Sequence, residues 1–360
     1  MEFRMNQPLT LQSYRLLGRS GLRVSPVALG TMTFGIDWGW GADETEARRI
    51  FDMYVDRGGN FIDTANQYTN GSSEQLLGQF AVGKRDSLVL ATKYTAATRP
   101  GDPNSGGNHR KSMVQSVETS LKRLKTDYID LLYLHAWDFT TSAEEVLRAM
   151  DDLVAQGKVL YLGVSNIPAW QAARFQTLAD LRGWSPLAAL QIEYSLVERT
   201  VERELIPMAA ELGMGVLPWS PLASGVLTGK YSRADLGAAV SSDPVGTRRN
   251  VAAANGSLTK RALNIADVVG EIAQEMGRTR AQVALAWTLL NPAVTAPILG
   301  VRTIAQLEDN LGSLEVSFSE AQIERLNTVS AIELGFPHAF LRQPMARQVV
   351  TGGAYVRPRA

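Results

Sequence analysis

Asn60-Phe61-Ile62-Asp63-Thr64-Ala65-Asn66-Gln67-Tyr68 is the stretch from which the fold is read. Asn60-Phe61-Ile62 is short, apolar and strand-like, Gly58-Gly59 precedes it and Asn70-Gly71 follows the tyrosine, so turns bracket it. An apolar strand thus stops at an acid, Asp63, and a loop presents Tyr68 beyond it. Alone, Asp63 is more often a strand-end or helix-cap acid than a catalytic one, and Tyr68 is usually a packed loop residue. The remainder of the chain decides between punctuation and chemistry.

The same unit recurs on both sides of this stretch. Tyr14–Leu17 and Leu22–Ser25 flank Gly18-Arg19-Ser20-Gly21 and predict a small β-hairpin ahead of the main fold. Pro26–Leu29 is a short strand ending at Gly30-Thr31-Met32. Asp43 caps a helix from Glu44 to Arg57, with Ala47, Ile50, Phe51, Tyr54 and Val55 at helical spacing. Further strands are expected at Leu88–Thr92, Ile129–Leu134, Val159–Val164, Leu187–Ile192, Met214–Leu217 and Val294–Leu299. Helices are expected between them, at Ser73–Phe80, Asn108–Lys125, Ala143–Gln156, Pro168–Leu181 and Glu202–Leu212. In Asn108–Lys125 the apolar face is read as Val114, Val117, Leu121 and Leu124. An irregular insert runs from Pro221 to about Gly256, followed by helices at Thr259–Met276, Arg280–Leu290, Thr303–Gly312 and Ser319–Val329, and then a Gly- and Pro-containing tail. Near-continuously apolar strands alternating with helices belong to a parallel sheet buried on both faces. Eight such units favour a closed (β/α)8 TIM barrel, an α/β fold, with an N-terminal β-hairpin and extra C-terminal helices. No Gly-x-Gly-x-x-Gly follows the first strand, which disfavours an open dinucleotide-binding sheet. No linker divides the chain, so a single domain is expected over residues 1–360, with its core at about 14–330 and a tail over 331–360.

Composition narrows the function. The 360 residues carry 36 basic and 36 acidic side chains, for a formal net charge of zero. That balance suggests neither nucleic acid nor an anionic membrane as partner. No run of roughly 18 apolar residues is present, and Met1–Arg15 lacks the apolar segment of a signal peptide. There is no Cys, which removes disulfides, thiolate metal sites and cysteine nucleophiles and fits a cytoplasmic protein. The His residues, His109, His135 and His338, offer no His-x-x-x-His pair, and no metal is expected.

Barrel enzymes place their active sites at the C-terminal ends of the strands. Here the strands end successively in Asp63 (with Tyr68 beyond), Lys93, His135, Ser165-Asn166, Gln191 and Trp219-Ser220. Four of these are chemically compatible. A phenol titrates near pH 10 and is a weak acid at neutrality. A neighbouring Lys93 ammonium is expected to lower the Tyr68 pKa, Asp63 to hold that ammonium charged and aimed, and His135 to orient or polarise a substrate carbonyl. The set suits proton donation to a carbonyl oxygen that receives a hydride.

The residues resemble the aldo-keto reductases, from about Tyr14 to Val329. Asp63-Thr64-Ala65-x-x-Tyr68, Gly163-Val164-Ser165-Asn166, Trp219-Ser220-Pro221-Leu222 and Gly300-x-Arg302-x-x-x-Gln306-Leu307-x-Asp309-Asn310 are similar to four ordered blocks of that family. The nearest likeness is to bacterial reductases akin to the voltage-gated potassium channel β-subunits. The resemblance implies Tyr68 as general acid with Asp63, Lys93 and His135 as its partners. It also implies NADPH/NADP+ extended across the barrel mouth. Thr69-Asn70 is a departure, because many relatives have Gly directly after the tyrosine.

Cofactor contacts are carried over residue by residue. Thr31 and Met32 match positions beside the ribose and nicotinamide. Ser165, Asn166 and Gln191 offer groups for the carboxamide, and Trp219 offers a flat face for the ring. Ser220, Pro221, Leu222, Ser224, Gly225 and Lys230 lie on the insert expected to wrap the pyrophosphate. Arg302, beside Gly300, matches the holder of the 2′-phosphate, where a guanidinium fork suits a dianion. Gln306 and Asn310, one helical turn apart, match adenine contacts, with Asp309 in the same block. For the substrate, Phe34, Trp38, Trp40 and Trp137, with Phe336 and Phe340 from the tail, either line an aromatic pocket around Tyr68 and His135 or are packing. Arg248-Arg249 reads as a solvated pair rather than a cofactor clasp, and His109 and His338 receive no chemical role.

The expected function is therefore an NADP-dependent aldo-keto reductase, an alcohol:NADP+ oxidoreductase. It would move hydride between nicotinamide and the carbonyl carbon of a small-molecule aldehyde or ketone, or the reverse. One alternative is an NADPH-binding redox sensor or auxiliary subunit with little turnover. Another is a barrel aldolase using Lys93 as a Schiff base. No Gly-x-Ser-x-Gly, P-loop or Tyr-x-x-x-Lys occurs, which weakens other hydrolase, nucleotidase and hydride-transfer readings. Oligomeric state is not legible.

Overall fold

The computed structural model describes residues 9–236 and 248–355. The readings for the extreme N-terminus, for 237–247 of the insert and for the last five residues lie outside the described residues. Two short antiparallel strands, β1 (Arg15–Leu16) and β2 (Arg23–Val24), form the expected hairpin. Eight parallel strands follow: β3 (Ala28–Gly30), β4 (Phe61–Asp63), β5 (Val89–Tyr94), β6 (Ile129–Leu134), β7 (Val159–Ser165), β8 (Leu187–Glu193), β9 (Gly215–Trp219) and β10 (Ile298–Gly300). From β3 to β9 each strand pairs with the next, and β10 returns to pair with β3. Val294 closes most of the remaining gap by bridging to Val216, through Val216 N–H to Ala293 O at 3.1 Å and Thr295 N–H to Val216 O at 2.8 Å. The fold is a nearly closed (β/α)8 barrel.

The last strand is shorter than the expected Val294–Leu299. Pro297 has no N–H to give to a ladder, so the segment crosses as one bridge before regular pairing begins at Ile298.

The surrounding helices are α1 (Glu44–Asp56), α2 (Ser72–Phe80), α3 (Arg110–Leu124), α4 (Ala143–Ala155), α5 (Ala169–Arg182), α6 (Leu205–Glu211), α7 (Arg248–Ala254), α8 (Lys260–Met276), α9 (Arg280–Leu289), α10 (Ile304–Leu311), α11 (Glu320–Val329), α12 (His338–Leu341) and α13 (Pro344–Thr351). Their starts are chemically marked. Asp43, Ser142, Thr259, Thr279, Thr303 and Ser319 each accept a first-turn backbone N–H. His109 does the same for α3 through Nδ1, a structural use for a residue given none from sequence. The buried face of α3 is Met113, Val117, Leu121 and Leu124, while Val114 turns to solvent at the face's edge. The described part of the insert ends in α7, and the tail contains α12 and α13, where irregular chain was expected.

The core has an outer layer between strands and helices and an inner layer within the barrel. Side chains alternate along a strand, so residues two apart share a face. Val89 and Ala91, Leu131 and Tyr133, Phe61, Ala189 and Leu217 fill the interior, with Leu17 and Val24 of the hairpin in the same cluster. Extending each inward series by one step gives Lys93, His135, Asp63, Gln191 and Trp219. The period of two delivers these polar and aromatic groups to one mouth.

Candidate active site

At that mouth the Lys93 ammonium is fully buried and reaches three acceptors. Its Nζ lies 2.5 Å from Asp63 Oδ1, 2.7 Å from the Thr64 carbonyl and 3.2 Å from the Tyr68 hydroxyl oxygen. Asp63 Oδ2 accepts from Gln191 Nε2 at 2.8 Å, so both carboxylate oxygens are engaged. The His135 ring meets the Tyr68 ring edge-on, with centroids 5.9 Å apart. The four residues expected to act together are brought together.

Their ionisation follows from burial and from one another. Burial pulls the His135 imidazole down to about 3, helped by the Lys93 charge, so it is neutral at neutral pH. Burial opposes charge on Lys93, but attraction to Asp63 and Tyr68 outweighs it and the amine is held above its usual range. Burial raises the Tyr68 phenol, and the opposing pull of Lys93 does not overcome it. Lys93 does pull the Tyr68 pKa down as expected, but desolvation outweighs that pull, so the phenol is raised on balance and Tyr68 rests as a neutral acid. An ammonium this buried and this fully bonded is also a poor Schiff-base nucleophile, which needs the free amine.

The turn that presents Tyr68 is held from outside the barrel. Arg123 Nη1 donates to the Asn66 carbonyl at 2.7 Å and to the buried Glu74 carboxylate at 3.2 Å, and Glu74 also accepts from Thr92 Oγ1 at 2.7 Å. Beneath the turn, Ser73 Oγ lies 2.9 Å from the hydroxyls of Thr64 and Thr31.

A cleft of about 640 Å³ opens over Asp63, Tyr68 and His135 and runs past Trp219 to β10 and α10. Among the expected cofactor residues, Met32, Asn166, Gln191, Trp219, Ser220, Pro221, Leu222, Ser224, Gly225, Lys230, Gly300, Arg302, Gln306, Asp309 and Asn310 line it. Thr31 and Ser165 do not. Thr31 Oγ1 is buried on the Asp63 carbonyl, and Ser165 Oγ accepts from Asn166 Nδ2, so both brace the floor from below. Asn166 is itself engaged, donating to the His135 carbonyl at 2.9 Å and accepting from Trp219 Nε1 at 3.1 Å. Asn166 and Gln191 thus orient Trp219 and Asp63, a use the sequence did not disclose.

The aromatic candidates separate. Trp38 stands edge-on to Tyr68 at 6.4 Å, with Trp40 5.8 Å beyond it. Phe34 is fully buried against Phe80 in the outer core, and Trp137 is buried against Phe175, so neither is a wall of the cleft. Phe336 and Phe340 sit exposed on the tail, where His338 pairs with Glu204 at 2.8 Å. Arg249 lies 3.7 Å from Asp235, and the Arg248 side chain is outside the described residues.

Sequence reading missed the contribution of α9, whose start places Thr279 and Arg280 on the cleft with Lys230 and Arg302. The Arg280 guanidinium lies against Gly229 and Gly270, where a Cβ would come within 2.7 Å and 2.4 Å of it respectively. Paired glycines opposite an arginine were the available signal, but only the packing of α9 gives it meaning.

A parallel barrel whose mouth joins a tyrosine to a buried lysine–aspartate pair, beside a long cleft edged with cations, defines an oxidoreductase of the carbonyl-reducing class. Residues 26–331 match the model of the Aldo/keto reductase family, and the chain belongs to that family. It is 38% identical over 347 residues to norsolorinic acid reductase stcV of Emericella nidulans, covering 93% of this chain and 86% of that protein. It is 40% identical over 328 residues to the uncharacterized oxidoreductase YrpG of Bacillus subtilis, covering 88% and 95%. It is 36% identical over 341 residues to an aryl-alcohol dehydrogenase of Pestalotiopsis microspora, covering 92% and 85%. The protein is an enzyme of a family that uses nicotinamide cofactors and acts on small molecules. Among the described residues, no helix is long and apolar enough to cross a membrane.

Proposed function

We propose that the protein reduces aromatic aldehydes or ketones with NADPH, using Tyr68 as the acid. The observation that carries this reading is the Lys93 ammonium 3.2 Å from the Tyr68 oxygen and 2.5 Å from Asp63. Because Lys93 donates to that oxygen, the phenol's own hydrogen is free to point into the cleft. As the proton passes to a carbonyl oxygen, the phenolate left behind meets an ammonium already in place. No charge has to be brought in at the moment of reaction. Asp63 and Gln191 keep the ammonium aimed. The neutral His135 can hydrogen-bond the carbonyl oxygen without competing for the proton. A positioned acid of this kind is worth about a hundred- to ten-thousand-fold in rate.

The cleft's chemistry fits a nicotinamide dinucleotide. Trp219 presents an indole held by Asn166. Ser220, Ser224 and Gly225 are small enough for close approach, and a Cβ on Gly225 would come within 2.5 Å of Lys230 Nζ. Arg302 and Arg280 add cations, and a guanidinium fork at Arg302 suits a 2′-phosphate, which favours NADPH over NADH. When bound, the reduced nicotinamide supplies the hydride. Trp38 beside Tyr68, with Trp40 packed against Trp38, favours an aromatic carbonyl, in keeping with the relative named for an aryl alcohol. The test is a panel of aromatic and aliphatic aldehydes, ketones and alcohols followed at the nicotinamide absorbance, with NADPH and NADH in parallel. Turnover of aromatic carbonyls with NADPH is expected. Tight NADPH binding without turnover of any substrate would overturn this reading in favour of a sensor.

A further inference from the structure

We propose that Thr69, directly after the tyrosine, is a positioning residue that locks the loop carrying Trp38 to the turn carrying Tyr68. Thr69 and Asn70 both adopt left-handed backbone, with φ 45° and 55°. A β-branched residue is a poor occupant of that conformation, where glycine meets no steric penalty. The hydroxyl explains why threonine serves here. Thr69 is fully buried, its Oγ1 donates to the Phe34 carbonyl at 2.7 Å, and the same oxygen accepts from Ser73 N–H at 3.1 Å.

Phe34 begins the loop 34–42. Its ends are closed by Gly35 N–H to Ala42 O at 2.9 Å and Ala42 N–H to Thr33 O at 2.7 Å. The Gly35 backbone passes close to the Thr69 side chain: Gly35 has φ +102°, and a Cβ there would lie 3.1 Å from Thr69 Oγ1. At the far end of this loop stands Trp38, edge-on to Tyr68. One hydroxyl therefore ties the turn of Tyr68 to the loop whose Trp38 stands against the Tyr68 ring. A glycine would make the turn without strain but could not make the tie. The inference deepens the reading given above and rests on it for the substrate.

Thr69→Gly and Thr69→Ser separate the tie from the turn. In Thr69→Gly the turn is relieved and the hydroxyl is lost, whereas in Thr69→Ser the hydroxyl stays. In Thr69→Gly, amide exchange in 34–42 is expected to quicken by about tenfold while the rest of the barrel keeps its protection. KM for 2-naphthaldehyde is expected to rise about five- to tenfold, with KM for propanal and kcat within about twofold of wild type. Thr69→Ser should restore both readouts. Unchanged exchange in 34–42, or an equal loss with both aldehydes, would overturn the tie. If the wild-type protein turned over neither aldehyde, the carbonyl-reductase reading would fail, while the exchange of 34–42 would still decide the tie by itself.

Discussion

Tyr68 and His135 face the same space with opposite assignments, and desolvation sets both. Burial disfavours whichever form is charged, so the phenol stays protonated and the imidazole stays neutral. The pair thus comprises one proton donor and one uncharged hydrogen-bonding group, and the proposed reduction uses both. For His135 the sign of the pH linkage is fixed by a folded value of about 3, below the ordinary imidazole value of 6.5. Between those values the unfolded chain binds the additional proton, so this group's contribution to stability falls as pH drops below the unfolded value. The loss is about 1.4 kcal/mol per pH unit once the unfolded imidazole is charged. Denaturant titrations from pH 7 to pH 4 should show wild type losing stability more steeply than His135→Gln by about that amount per unit. Parallel slopes would mean that His135 is not held neutral. The residues of this cluster were legible in sequence because each strand's inward series ends in one of them. The balance of forces on Tyr68 was not legible, since a Lys neighbour can be read from spacing but full burial cannot.

At the scale of the element, α2 carries the tyrosine turn at its start and leans on α3. Gly78 permits the contact: a Cβ there would lie 2.2 Å from the Arg123 carbonyl oxygen, which is backbone and cannot swing aside. The same α3 residue clasps the turn through Asn66 and neutralises the buried Glu74. Gly78→Ala should force the helices apart and lower unfolding stability by about 1–3 kcal/mol. Chemical denaturation measures this, and a neutral or stabilising result, as expected of Gly→Ala on a free helix surface, would contradict the packing described. The start of α1 was readable from Asp43, whose side chain caps it, whereas the caps Ser142, Thr279 and Ser319 were not read as such. The face of α3 was displaced by one residue because Val114 and Met113 are equally apolar, and only the angle at which the helix meets the barrel chooses between them. The helices of the tail escaped notice because α12 and α13 bury little, so their periodicity has no core to mark it.

Across the whole molecule, the barrel serves to bring groups distant in sequence to one cleft. Asp63 and Gln191 are 128 residues apart, and Arg302 lies farther along still. Occupancy of a cleft that crosses from β4 to α10 should stabilise the entire fold. At a hundred times its Kd, NADPH is expected to add about 2.7 kcal/mol and raise Tm accordingly. NADH at equal concentration should add less, and Arg302→Ala should abolish the difference. Equal shifts from the two nucleotides in wild type would remove the role given to Arg302. The cleft's outline was legible from four sequence blocks. Its far wall was not, because Thr279 and Arg280 lie on a helix that sequence alone places merely outside the barrel.

The central claim is that Tyr68 donates the proton, and the most direct measurement compares Tyr68→Phe with wild type for single-turnover reduction of an aromatic aldehyde and for NADPH affinity by protein fluorescence. Reduction is expected to fall by about a hundred- to ten-thousand-fold while the NADPH Kd stays within about twofold. Retained reduction, or a loss of NADPH affinity that matches the loss of rate, would contradict it.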